Sequence, residues 1–94
     1  MVIYWNIQKN EQLKKDRNIC FEDVVHHIMN DDLLESTIHP NQNKYPGQKL
    51  FVVKMDDYAY IVPYVETEDG IFLKTVITSR KATKRYLKSG GGKI

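Results

Sequence analysis

The chain opens on a short β-favouring run, Val2-Ile3-Tyr4-Trp5, followed at once by Asn6, whose side-chain oxygen can cap a helix. From there to Arg17 only Ile7 and Leu13 are clearly apolar, which predicts a weakly patterned helix. The next stretch is stronger. Phe21, Val24, Val25, Ile28 and Met29 fall at i, i+3, i+4, i+7 and i+8, one stripe of a helical period. Glu22 and Asp23 occupy its first turn, where the helix dipole favours negative charge, and Asn30-Asp31-Asp32 ends it.

Between Ser36 and Gly47 the chain is polar and punctuated by Pro40, Pro46 and Gly47, so a long loop is expected, anchored by Leu33 and Leu34. Loops of this length in small domains are often functional or mobile. Three β-rich runs follow: Gln48 to Met55, Tyr58 to Glu66 and Ile71 to Thr78. The breaks between them, Asp56-Asp57 and Thr67-Glu68-Asp69-Gly70, predict an antiparallel meander. Pro63 implies a bulge or an edge position in the second run.

In the third run, alternation assigns Ile71, Leu73, Thr75 and Ile77 to the core and Phe72, Lys74, Val76 and Thr78 to the opposite face. Tyr58, Tyr60, Val62, Tyr64 and Glu66 share one face of the second; such a tyrosine row packs beneath a helix more often than it stacks on bases. Residues from about Arg80 to Lys88 form a short final helix capped by Ser79, with Ala82, Tyr86 and Leu87 docking on the sheet. The expected architecture is α+β: an N-terminal short strand and two helices, a three-stranded antiparallel meander and a short C-terminal helix. A single domain spans residues 1–89, and 90–94 form a flexible glycine-rich tail.

The chain has 94 residues, enough for one core without metal or disulfide staples. The one cysteine, Cys20, cannot make an internal bridge and reads as a small buried residue. No apolar run approaches the roughly 20 residues of a membrane span, and the first residues lack the pattern of a secretory signal, so a cytoplasmic location is expected. No spacing of His, Cys, Asp or Glu predicts a metal site, and no cofactor is expected.

Charge divides the chain unequally. Net charge is +2, yet residues 1–69 hold seven basic and twelve acidic side chains, whereas residues 70–94 hold seven basic and no acidic ones. A cationic segment on an otherwise acidic small protein is a footprint for a polyanion, most commonly nucleic acid, although charge clusters are usually only solvated faces. Lys74 points away from the core, toward solvent or a groove. Arg80 and Lys81 follow the Ser79 cap, where the dipole disfavours cations, so free backbone donors beside them would make an anion site. Arg80, Lys84 and Lys88 recur at i, i+4 and i+8 as a basic stripe, which also suits an acidic protein partner. His39, with Lys44 and Tyr45 close by, could reach a substrate as acid or base, while a lone loop histidine is usually a surface residue. His26 and His27 are expected to flank the stripe of the second helix.

Three stretches resemble a known family. Tyr4-Trp5-Asn6 with Lys9-Asn10, Phe21-Glu22-Asp23 after a basic helix, and Thr78-Ser79-Arg80-Lys81-Ala82-Thr83-Lys84-Arg85 are similar to the BrnT toxins of bacterial type II toxin–antitoxin systems. The resemblance covers most of residues 3–87. It implies a RelE-like fold of the RelE/ParE-like superfamily, ribonuclease activity against messenger RNA that inhibits translation, and neutralisation by a small DNA-binding antitoxin. Where the family has Ser or Thr before Phe21, this chain has Cys20, a poorer helix cap.

The function these readings imply is metal-independent endoribonuclease activity, with the 2′-hydroxyl of the RNA as nucleophile. Lys74 and Arg80 would stabilise the phosphate, Glu66 would be the general base, and His39 or Tyr64 the acid. The RNA-binding set is Lys81, Lys84, Arg85, Lys49 and Tyr45, with a ribosome as a possible orienting partner. The alternative is a non-catalytic binding module of the same superfamily, either a gyrase-inhibiting toxin or a nucleic-acid-binding regulator. A third reading is an adaptor whose cationic helix docks an acidic protein.

Overall fold

The computed structural model describes residues 2–88, and the expected tail at 90–94 lies outside them. Asn6 caps α1 (Ile7–Arg17), its Oδ1 accepting the Lys9 N–H at 2.8 Å. The helix ends at Asn18, whose own N–H still donates to the Lys14 carbonyl and whose φ of 57° turns the following Ile19 N–H back onto the Leu13 carbonyl at 3.3 Å. Within α1 only Asn10 and Leu13 are buried; Ile7 points into solvent. The next helix, α2 (Phe21–Met29), buries Phe21 and Val24 completely and leaves Met29 exposed. Cys20 occupies its N-cap position without a side-chain bond to the helix, and is only partly buried. That burial pushes its thiol pKa up.

The strands are β1 (Ile3–Trp5), β2 (Leu33–Ile38), β3 (Lys49–Met55), β4 (Tyr58–Thr67), β5 (Gly70–Leu73) and β6 (Ile77–Thr78). They form one mixed sheet in the order β1-β5-β4-β3-β2, with β6 beside β4. The expected meander of β3, β4 and β5 is antiparallel, while β1 joins it parallel to β5 through Ile3–Ile71, Tyr4–Phe72 and Trp5–Leu73. On one face, Leu13, Phe21 and Val24 of the two helices pack against Phe51, Val53, Val62 and Leu73. On the other, α3 (Arg80–Thr83) and a π-helical turn, Lys84–Lys88, place Ala82, Tyr86 and Leu87 against Val52 and Ala59. The chain is thus α+β, and among its described residues no helix is long and apolar enough to cross a membrane.

Three expectations are corrected. The polar stretch from Ser36 begins as the end of a strand, because β2 pairs with β3 at Ser36–Phe51 and Ile38–Lys49. It is an edge strand with Ser36, Thr37 and Ile38 exposed, so backbone pairing and not apolar alternation makes it β.

The run from Ile71 to Thr78 is broken at Lys74–Val76, which resets its alternation. Val76 is fully buried and Ile77 is 44% exposed, the reverse of the expected order. The Lys74 N–H still donates to the Pro63 carbonyl at 2.8 Å. Since the N and O of one strand residue point to the same side, the donor that Pro63 lacks would face Lys74, so the reciprocal ladder bond is missing there and the strand breaks at that point.

The final helix is α-helical for only four residues before it widens into the π turn. Ser79 is its cap, but Ser79 Oγ already takes the Ala82 N–H at 3.0 Å and the Ser79 carbonyl takes the Thr83 N–H. So short a helix with these donors engaged is no anion site, and the change to i→i+5 bonding at Lys84 breaks the regular i, i+4 spacing on which the basic stripe was expected.

Candidate functional site

The loop after β2 is held by its own polar side chains. Gln42 Nε2 donates to the carbonyls of His39 (2.7 Å) and Gln48 (3.0 Å), while its Oε1 accepts the Gly47 N–H (3.1 Å). Asn41 Oδ1 accepts the Lys44 N–H, and the His39 N–H closes the base of the loop on the Gln48 carbonyl at 2.9 Å. His39 is consequently fixed at both ends. Its Nδ1 accepts the Asn41 N–H at 3.0 Å, which leaves Nε2 as the nitrogen that carries the proton in the neutral ring. The ring lies 4.5 Å from that of Tyr45, over which Lys44 Nζ stands at 5.4 Å.

Across from this loop stands the break between β5 and β6. Lys74 is exposed there, its Nζ 5.6 Å from the centroid of Phe72, whose ring meets Tyr4 edge-on at 5.2 Å. His39, Tyr45 and Gln48 on one side and Lys74 and Thr75 on the other border a cleft of about 340 Å³ floored by Pro63, with Lys9 of α1 at its rim. No carboxylate lines it, and two lysines, Lys9 and Lys74, do.

A second cleft of about 390 Å³ lies on the same face between β2, β3 and α3, with Leu50, Ile61 and Tyr86 in its walls and Lys81 and Arg85 on its helical side. Glu35 is its one acidic group. The two clefts adjoin. Leu50 lines one and its cross-strand partner Pro63 the other; Ile61 and its partner Ile77 are divided in the same way. Paired residues point to one side of a sheet, so the two clefts lie side by side on this face, Lys9 and Lys74 lining the first and Lys81 and Arg85 the second.

Other expected site residues are not brought there. Glu66 and Lys49 belong to the opposite face, in register with Ile71 and Tyr64, and form an ion pair at 2.8 Å that raises the Lys49 ammonium above its usual pKa. Tyr64 is 4% exposed, stacked on Phe51 at 3.9 Å, and its hydroxyl is bonded to Ser36 Oγ, so it cannot reach a substrate as acid. Arg80 lines neither cleft, and Lys84 is exposed outside both. Lys9 is the residue that sequence reasoning missed. Its signal was its place in the first turn of α1, directly after the strand that pairs with β5. Among the described residues no group of His, Cys, Asp and Glu is arranged to hold a metal.

Comparison with known proteins returns no matching family model, no matching curated protein and no matching solved structure.

Proposed function

We propose that this chain is the toxin of a type II toxin–antitoxin pair, a RelE-like, metal-independent endoribonuclease that cleaves messenger RNA and blocks translation. One observation carries the reading: Lys9, Lys74, His39 and Tyr45 converge on a cleft without a carboxylate. A phosphodiester seats between the two ammonium groups, and the Tyr45 ring stacks on a flanking base. The 2′-hydroxyl attacks phosphorus, the bond to the 5′-oxygen breaks, and the leaving oxygen, hydrogen-bonded by His39 Nε2–H, takes its proton from water. Lys9 and Lys74 stabilise the charge that builds on the phosphorane. The strand runs on toward Lys81 and Arg85. With no base in the cleft, the 2′ proton passes to water. Cleavage of naked RNA is therefore slow, and a ribosome that holds the strand in line accelerates it. A small antitoxin neutralises the protein by covering this groove.

The Lys49–Glu66 ion pair favours a second reading, a binding module without chemistry, because it commits the expected base to a partner on the far face. Labelled RNA incubated with the purified protein in EDTA separates the two. Cleavage products support the nuclease, and salt-sensitive retention of intact RNA supports the binder. RNA that is neither cut nor retained overturns both.

A further inference from the structure

On the helix-covered face, away from the groove, a third cleft of about 220 Å³ opens between the end of α1, the flank of α2 and the β3–β4 turn. Its chemistry is dipolar. Arg17 and Asn18 stand on one wall, Asp23 and His27 on a second, and Asp56 and Tyr60 on the third. Asp23 and His27 are four residues apart on α2, so both side chains project to the same side.

His27 is oriented from behind. Its Nδ1 bonds Asp32 Oδ2 at 2.7 Å, and Asp32 is itself fixed, its N–H donating to the His27 carbonyl (2.9 Å) and its carbonyl accepting the Lys54 N–H (2.8 Å). A carboxylate on Nδ1 leaves Nε2 of the neutral ring as an acceptor. Asn18 and Asp56 are set by left-handed backbone, with φ of 57° and 55°. Arg17 spends one N–H on the Val76 carbonyl at 3.1 Å and pairs with neither carboxylate of the cleft, since no ion pair joins Arg17 to Asp23 or Asp56 within 4.0 Å. A cation and two anions thus border one small space without neutralising one another.

We infer that this cleft is a binding site for a small zwitterion of the α-amino acid class, its carboxylate on Arg17 and its ammonium between Asp23, Asp56 and His27 Nε2. The charge arrangement selects the class. A simple anion would meet two carboxylates, and a simple amine would leave Arg17 unsatisfied, whereas a molecule carrying both charges pairs with each pole. The volume suits it, being the share of about seven liquid waters at roughly 30 Å³ each. The site is independent of the RNA reading, lying on the opposite face and sharing no lining residue with the groove.

The test is a titration of the purified, isotope-labelled protein with individual L-α-amino acids, with methylamine and acetate as single-charge controls, following the backbone amides of Asn18, Asp23 and Asp56. Saturable shifts with at least one amino acid, a tenfold or greater loss of affinity in Asp23→Asn, and negligible response to either control are expected. Asp56→Asn serves as the second variant, since Asn tolerates the same left-handed backbone. Absence of shifts with every amino acid overturns the site. So does a response to methylamine or acetate equal to that of the amino acids, or unchanged affinity in both variants while their spectra remain folded.

Discussion

Asn10 of α1 caps α2 from outside: its Oδ1 accepts the buried Phe21 N–H at 2.8 Å, and its Nδ2 donates to Glu22 Oε1 at 2.8 Å. Cys20, at the N-cap position itself, makes no such bond. Orphan N–H groups at a helix start need acceptors, and here the acceptor is on another helix, so one side chain both ends the α1–α2 turn and holds the helices together. Asn10→Ala should therefore destabilise the fold by about 1–3 kcal/mol, read as a lower urea midpoint.

The same bond gives a pH signature. Chiefly through the Asn10 hydrogen bond, the Glu22 carboxyl is held below its ordinary value. A depressed folded pKa contributes stability above the unfolded pKa and loses it as pH falls through the folded one. The gap in stability between the parent protein and Asn10→Ala should be widest near neutrality and narrow as acid titrates Glu22. Urea melts at about pH 7 and about pH 3 measure it, and a gap that does not narrow would count against this linkage.

Gly70 should tolerate no side chain. Its φ is +144°, and a Cβ there would collide with the Val2 carbonyl oxygen and lie 2.9 Å from the Val2 carbonyl carbon. Both neighbours are backbone, and that same carbonyl accepts the Ile71 N–H that starts the parallel β1–β5 ladder. Gly70→Ala should cost about 2–5 kcal/mol, with the earliest loss of amide protection at Ile71.

Thr83 fastens the last helix. Its hydroxyl donates to the Ser79 carbonyl at 2.7 Å and accepts the buried Ala59 N–H at 2.9 Å. Thr83→Val keeps the shape but leaves the Ala59 donor without a partner, a loss of about 1–3 kcal/mol. Because α3 carries Lys81 on the groove wall, RNA retention should weaken along with stability in this variant.

Tyr64 and the groove residues should separate cleanly. Tyr64→Phe removes the Ser36 bond, lowering stability by about 0.5–1.5 kcal/mol, and should leave RNA cleavage unchanged. His39→Ala and Lys74→Ala should each reduce cleavage by roughly 10²-fold or more while thermal stability stays within about 0.5 kcal/mol. Full activity in both would remove the groove from the mechanism.

Residues acting on near neighbours were legible in the chain. Asn6 and Ser79 cap the helices that follow them, the stripe from Phe21 locates α2, and the break at Asp56-Asp57 separates two antiparallel strands. Of the residues singled out by type and place, Lys74, His39 and Tyr45 border one cleft, an exposed cation and a loop histidine being readable without the fold. Glu66 and Tyr64 lie on the face away from that cleft, because alternation shows which residues share a face, not which face the helices cover.

Sequence alone determined the α+β class, the helix starts and the concentration of positive charge beyond Asp69. Tertiary structure decided the rest: the pairing of edge strand β2, the parallel entry of β1, the cap that Asn10 lends to α2, and the meeting of Lys9, His39 and Lys74. Caps and periodicities depend on atoms a few bonds away, whereas these features arise between segments far apart in the chain. Only when the sheet closes does the partner that stabilises each of them exist.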